Sequence, residues 1–164
     1  MSNSAYLLVK FENKEKLIQA FDQLQDISLF ENYDAVDGHY HLMIKTVNQD
    51  DKTLDLVRSF DGFADMSVCP IEVDNQKEFV LDESFTYCYL FIEVNAAHLA
   101  DVQNKLTSFP DTLFCSKTRG EYDLIALIKN EKFDKIDRFI KTEIKNLDGI
   151  LRFKQDHVIF LDRI

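Results

Sequence analysis

The chain has 164 residues, room for one ordinary domain or two small ones. Hydrophobic residues make up 46%, which supports a packed core and argues against a globally disordered chain. The net charge of −10 is uneven: residues 1–82 carry −9 and residues 83–164 carry −1. Direct nucleic-acid binding is therefore disfavoured, because gripping phosphates takes a cationic footprint.

The first predicted element is a strand over Tyr6–Phe11, rich in apolar side chains. Asn13 then reads as a helix cap, and Leu17, Phe21 and Leu24 fall at helical spacing, with Ile18 and Ala20 widening the stripe. A second strand is expected over Leu29–Val36. Asp37-Gly38 is a turn signal, and Tyr40–Val47 reads as a third strand. Asp50 or Asp51 can cap a second helix carrying Leu54 and Val57. Gly62 ends it, and Ala64–Val73 is the last strand of this series.

The series then repeats. Tyr89–Val94 reads as a strand, Asn95 as a cap, and Leu99, Val102 and Leu106 as a helical stripe closed near Pro110. Leu113–Lys117 and Tyr122–Lys129 read as strands around the turn Arg119-Gly120. Phe133, Ile136, Ile140, Ile144 and Leu147 mark the next helix, stopped by Gly149 before a strand over Leu151–Leu161. Gly38-His39-Tyr40-His41-Leu42 thus recurs as Gly120-Glu121-Tyr122-Asp123-Leu124. A period of about 80 residues is too long for a solenoid unit and suits a small domain in tandem. The expected units are residues 4–74 and 85–164, with residues 75–84 as an acidic, polar linker.

Each unit has the order βαββαβ, the ferredoxin-like α+β arrangement, with both helices on one face of an antiparallel sheet. Its strands do not alternate apolar with polar residues, as a half-wet sheet would. Leu124-Ile125-Ala126-Leu127-Ile128 and Leu90-Phe91-Ile92 are continuous apolar runs. Both sheet faces are therefore expected to be buried, and the simplest cover for the open face is a second sheet of the same kind. The predicted architecture is two antiparallel sheets packed face to face, a pseudo-dimer like a dimeric α/β barrel.

This pattern resembles the ligand-binding (RAM) domain of the Lrp/AsnC regulators of amino-acid metabolism. The second unit carries the clearer likeness, through Tyr89-Leu90-Phe91-Ile92-Glu93-Val94, Phe109-Pro110-Asp111, Thr118-Arg119-Gly120-Glu121-Tyr122-Asp123-Leu124, Ile136-Asp137-Arg138-Phe139 and Leu147-Asp148-Gly149-Ile150. Ala5-Tyr6-Leu7-Leu8-Val9-Lys10 and Gly38-His39-Tyr40-His41 show it more faintly. The chain resembles two copies of the effector half, and with the first strand starting near residue 5 no helix-turn-helix is expected before it. The resemblance implies an amino-acid effector held near the Gly-x-Tyr-Asp turn, at Gly120, Glu121, Tyr122 and Asp123. Asp123 or Glu121 would accept from the ammonium group, and turn amides or Arg119 would hold the carboxylate. The alternative is a structural turn in which Gly120 supplies positive φ, Tyr122 packs and the acids are solvated. Gly38, His39, Tyr40 and His41 are the matching candidates in the first unit, where the motif aspartate is His41.

Other signals are weaker. His39 and His41 share a strand face, but no third metal ligand is evident, so no metal or cofactor is expected. Cys69, Cys88 and Cys115 are odd in number and far apart, which fits buried thiols in a reducing cytoplasm rather than a disulfide framework. The N-terminus shows no secretory pattern, and no run approaches the ~18 uncharged apolar residues of a spanning helix. Without an acid/base pair, a nucleophile constellation or a phosphate loop, the reading leans toward a non-enzymatic sensory or interaction module. It would bind a small-molecule effector, possess a possible protein partner, and assemble as a dimer of pseudo-dimers. The competing reading is a haem- or tetrapyrrole-handling protein or small α/β-barrel enzyme. His39, His41 and Arg119 motivate it, since some relatives of this regulator family act on tetrapyrroles with histidine and arginine.

Overall fold

The computed structural model describes residues 4–73 and 80–161. The first series forms β1 (Ala5–Phe11), α1 (Lys14–Leu24), β2 (Phe30–Asp37), β3 (Leu42–Thr46), α2 (Asp51–Arg58) and β4 (Phe63–Val73). The second forms β5 (Thr86–Val94), α3 (Leu99–Ser108), β6 (Thr112–Thr118), β7 (Leu124–Asn130), α4 (Phe133–Phe139) and β8 (Ile150–Ile159). A 3₁₀ turn over Ala96–His98 leads into α3, and a π-helical turn over Ile140–Ile144 extends α4. The expected caps are present: Asn13 Oδ1 accepts from Lys16 N and Asp50 Oδ1 from Thr53 N, each satisfying an orphan helix donor. Asn95 caps the 3₁₀ turn, accepting from Ala97 N.

The sheets run β4-β1-β3-β2 and β8-β5-β7-β6, every neighbour antiparallel. They face each other as expected. Their edges also bond, β2 to β8 and β4 to β6, and the eight strands close into one barrel. Closure gives each of the eight strands a neighbour on both sides, the arrangement that limits edge-to-edge association. It also explains the continuous apolar runs. In β1, Tyr6 and Leu8 enter the barrel interior while Leu7 and Val9 pack under α1 and α2. In β5, Tyr89 and Phe91 face inward while Leu90 and Ile92 meet the layer of α3 and α4. A strand buried on both faces alternates between two cores rather than between core and water.

The interior is filled by side chains, many of them aromatic: Tyr6, Tyr87, Tyr89, Phe91 and Phe114 join Leu8, Ile125 and Leu127 there. Two tyrosines at matching positions cross it. Tyr6 Oη lies 3.4 Å from Ser116 Oγ, and Tyr89 Oη donates to Asp34 Oδ2 at 2.5 Å. Each ties the first strand of one unit to the second strand of the other. Of the expected linker, residues 75–79 lie outside the described residues, as does residue 74 at the end of the first expected unit. Leu81 and Phe85 pack against the interior cluster, and Asp82 N donates to Tyr87 Oη at 2.8 Å.

Strand starts differ from the sequence reading around the two turns. β3 begins at Leu42 rather than Tyr40, and β7 at Leu124 rather than Tyr122. The turn amides leave the ladder for other partners, among them the Asp156 carboxylate, so hairpin pairing starts late. β5 starts earlier, at Thr86, because Thr86 to Cys88 pair with β7 along its full length.

Asp34 gives the fold a pH signature. Burial pushes its carboxyl up to about 6, and the Tyr89 hydroxyl opposes the shift. A folded value above the unfolded one, near 3.9, means that the protonated form suits the fold better. This contribution is fully present below about pH 4 and is lost as pH rises through about 6. We expect Asp34→Asn, which keeps an acceptor for Tyr89, to gain on the wild type by on the order of 1–2 kcal/mol between pH 4 and 7. Urea denaturation across that range tests this, and parallel stability profiles would exclude it.

Candidate functional site

Because all neighbours in the barrel are antiparallel, β1, β2, β5 and β6 run the same way. The turns over residues 38–41 and 119–123 therefore cross the same mouth. Tyr40 and Tyr122 point inward from them, 3% and 2% exposed, and their hydroxyls meet at 2.9 Å. Both rings rest on Phe91, with centroids 5.3 and 5.5 Å away. Glu121, exposed beside them, accepts from Ser67 Oγ at 2.9 Å and from Tyr40 Oη at 3.4 Å. The pair closes the mouth, and burial pushes both phenols above their ordinary range, so they remain protonated donors.

The turns are held from behind by strands of the other unit. His39 N and Tyr40 N donate to the two oxygens of Asp156 on β8, at 2.6 and 2.8 Å. Gly38 leaves space for that carboxylate, since a Cβ there would lie 2.1 Å from Asp156 Oδ1. In the second unit Gly120 has φ +92°, and a Cβ would lie 2.7 Å from the Val68 carbonyl of β4. Only glycine combines that conformation with so close a backbone. The Glu121 and Tyr122 amides face the sulfur of Cys69, whose thiol burial pushes up to about 11. A carboxylate and a thiol thus occupy matching places.

The last motif position has a shared job. Asp123 Oδ2 accepts from Val94 N at 2.8 Å, and His41 Nδ1 accepts from Phe11 N at 2.8 Å. Both amides lie where the first strand of a unit shifts register against its last, so each side chain satisfies a donor released by a bulge. Accepting through Nδ1 puts the His41 proton on Nε2. His41 also lines a cleft of about 320 Å³ with Phe11, Leu17, Val36, Asp37 and Ile159.

The structure thus brings His39, Tyr40, Glu121 and Tyr122 to one mouth, above Gly38 and Gly120. Asp123 and His41 brace the strand ends. Arg119 is largely exposed, its Nε 3.4 Å from Glu72 on β4. His39 Nε2 lies 3.0 Å from Lys154 Nζ. Burial, then Lys154 and Lys10, hold its imidazole below the ordinary range, while Asp156 and Glu121 oppose them. Sequence reasoning missed Lys10, Ser67, Lys154 and Asp156 as site residues, since they lie on strands outside the two turns; only strand pairing places them here. Among the described residues no three His, Cys, Asp or Glu side chains group to hold a metal, and no helix is long and apolar enough to cross a membrane.

The model of the Lrp/AsnC ligand binding domain family matches residues 87–159. Among solved structures, the siroheme decarboxylase NirDL in co-complex with an iron-uroporphyrin III analogue is similar over 96% of this chain and 71% of that one. The two are 10% identical, with a TM-score of 0.77. A putative monooxygenase from Fusobacterium nucleatum is similar over 96% of this chain and 92% of its own, at 9% identity and a TM-score of 0.60. AsnC from E. coli is 15% identical over 53% of this chain and 62% of its own, with a TM-score of 0.45. The likenesses to NirDL and to the monooxygenase place the chain in a shared fold. No curated protein matches it in sequence.

The strut geometry predicts that Asp123→Ala destabilises the protein by about 1–3 kcal/mol, leaving the Val94 amide without its acceptor. Asp123→His, copying the solution at His41, should cost clearly less. Urea denaturation of both variants checks this; equal losses, or no loss in the alanine variant, would contradict it.

Proposed function

We propose that the chain, whose residues 87–159 match the model of the Lrp/AsnC ligand binding domain family, is a non-enzymatic regulatory module that binds an amino acid or similar small zwitterion at the barrel mouth. The observation that carries this is the meeting of the two motif turns there, locked by the Tyr40–Tyr122 hydrogen bond. A ligand at this mouth contacts both units at once. Glu121 offers an acceptor to an ammonium group, and Tyr40, Tyr122 and Ser67 surround it with hydroxyls. The thiols supply no ready nucleophile: burial pushes Cys69 to about 11 and Cys115 to about 12. In this reading the two units, residues 4–74 and 85–164, are a duplicated pair mimicking a two-chain dimer, and two such chains associate.

Tetrapyrrole handling is the second reading, favoured by the fold shared with NirDL along nearly the whole chain. Against it, the interior is packed with aromatic side chains. His39, His41 and Arg119 are engaged by Lys154, the Phe11 amide and Glu72, respectively.

Calorimetry against the common amino acids should give saturable binding, weakened at least about tenfold by Glu121→Gln with an unchanged melting temperature. Absence of heat from every amino acid would overturn the reading. A Soret band on haem addition, lost in His41→Ala, would favour the second one. Sedimentation equilibrium should show two associated chains, and a strict monomer would refute that part.

A further inference from the structure

We propose that Lys10, His39 and Lys154 form a carboxylate subsite at this mouth, and that a carboxylate entering it brings a proton onto His39. This rests on the mouth being the ligand site, and it names the ligand class: a compact acidic metabolite such as a dicarboxylate or an acidic amino acid.

The three groups come from three elements. On β1, Tyr6 and Leu8 face the interior, and Lys10 follows at the same parity toward the mouth. On β8, Lys154 shares parity with the buried Asp156 and the interior Val158. His39 arrives on the turn. Two of them meet the Tyr40 ring: Lys10 Nζ stands 5.6 Å from its centroid, and the His39 ring meets it edge-on with centroids 4.6 Å apart. Lys154 Nζ lies 3.0 Å from His39 Nε2.

Both lysines are half-buried, yet among the described residues no carboxylate lies within ion-pair distance of either. Elsewhere Lys16, Lys45, Lys117, Arg119 and Arg152 each have one. In a chain of net charge −10, two converging ammonium groups without a counter-ion mark a place that an anion would relieve. The neighbouring carboxylates are engaged. Asp156 accepts the two turn amides, Glu121 accepts Ser67 and Tyr40, and Glu93, which also feels Lys154, is held by Arg152.

The proton follows from the hydrogen bond. A nitrogen 3.0 Å from an ammonium must accept, so His39 is neutral in the free protein with its proton on Nδ1. A carboxylate between Lys154 and His39 gives the ammonium a new partner and frees Nε2. The imidazole then takes a proton from solvent and donates to the carboxylate. Lys154, Lys10, Asp156 and Glu121 are the charged groups facing His39; the anion adds to the second pair. Since the complex binds more protons than the free protein, affinity rises as pH falls from about 8 to about 6.

The test is titration calorimetry of the full chain with succinate, aspartate and glutamate, and with asparagine and glutamine, in two buffers of different ionisation heat. The acids should bind at least about tenfold tighter than the amides, with uptake of a sizeable fraction of one proton. Lys10→Met and Lys154→Met should each weaken the acids about tenfold and weaken the amides less, narrowing the gap between the two groups. His39→Gln should abolish the proton uptake while keeping most of the affinity. Circular dichroism and melting establish that each variant is folded. Amides binding as well as acids, or lysine variants without effect, would overturn the subsite while leaving the mouth reading in place. Tight acid binding without proton uptake would overturn the role of His39. Heat from none of the five would overturn the subsite, and heat from no common amino acid at all would overturn the mouth reading as well.

Discussion

The closing of two sheet edges is the constraint on which the rest of the structure depends. β2 meets β8 through three residue pairs, and β4 meets β6 through two, with a register shift between them. These seams are short, but they settle three matters together. They pair every strand on both sides and enclose an interior that the aromatic side chains must fill. They also bring to one mouth two turns separated by about 80 residues of chain, a distance that local sequence cannot bridge. Had the sheets only stacked, nothing would fix the turns relative to each other.

Symmetric architecture carries unequal chemistry. Where Tyr6 meets Ser116, Tyr89 meets Asp34. Where Asp156 receives one pair of turn amides, Cys69 faces the other. Where Asp123 braces one strand end, His41 braces its counterpart. In each pair the backbone requirement is the same, an acceptor or a filler of limited size, and more than one side chain meets it. That tolerance lets the two halves differ in charge while keeping one geometry. Asp156 and His39 bring ionisable groups to the first turn, whereas the second turn presents Glu121 beside a neutral thiol.

The fold was legible where its cause is local. Asn13 and Asp50 announce their helices by a side chain that accepts from the backbone three residues on. The unbroken apolar run of β7 announces burial on both faces, and Gly38 and Gly120 announce the turns. Tyr40, Glu121 and Tyr122 were identifiable for the same reason, being part of the turns themselves. The other half of the mouth was not. Lys10 reads as a polar residue near a strand end, and Lys154 as one of several charges in β8. Asp156 is a buried carboxylate whose partners lie more than a hundred residues away. Their meaning comes from barrel closure, which no periodicity encodes. The motif aspartate has a structural job that its sequence context did not reveal. Its chemistry suggested an ammonium acceptor, but one of its oxygens belongs to the Val94 amide.

The packed interior bears on how such a molecule could report a ligand. Tyr40 and Tyr122 rest on Phe91, and Phe91 lies against Tyr89, whose hydroxyl reaches Asp34 near the β2 edge. The mouth is therefore joined by direct contact to a seam between the units. Close-packed side chains of this kind move as discrete rearrangements rather than by gradual yielding. A ligand that drew Tyr40 or Tyr122 aside would have to break their shared hydrogen bond or tilt Phe91, and either change acts on both units together. An effect on assembly through this route requires a difference in affinity between two arrangements of the seam. The ionisable Asp34 at that seam and the charged groups at the mouth supply separate means of biasing it.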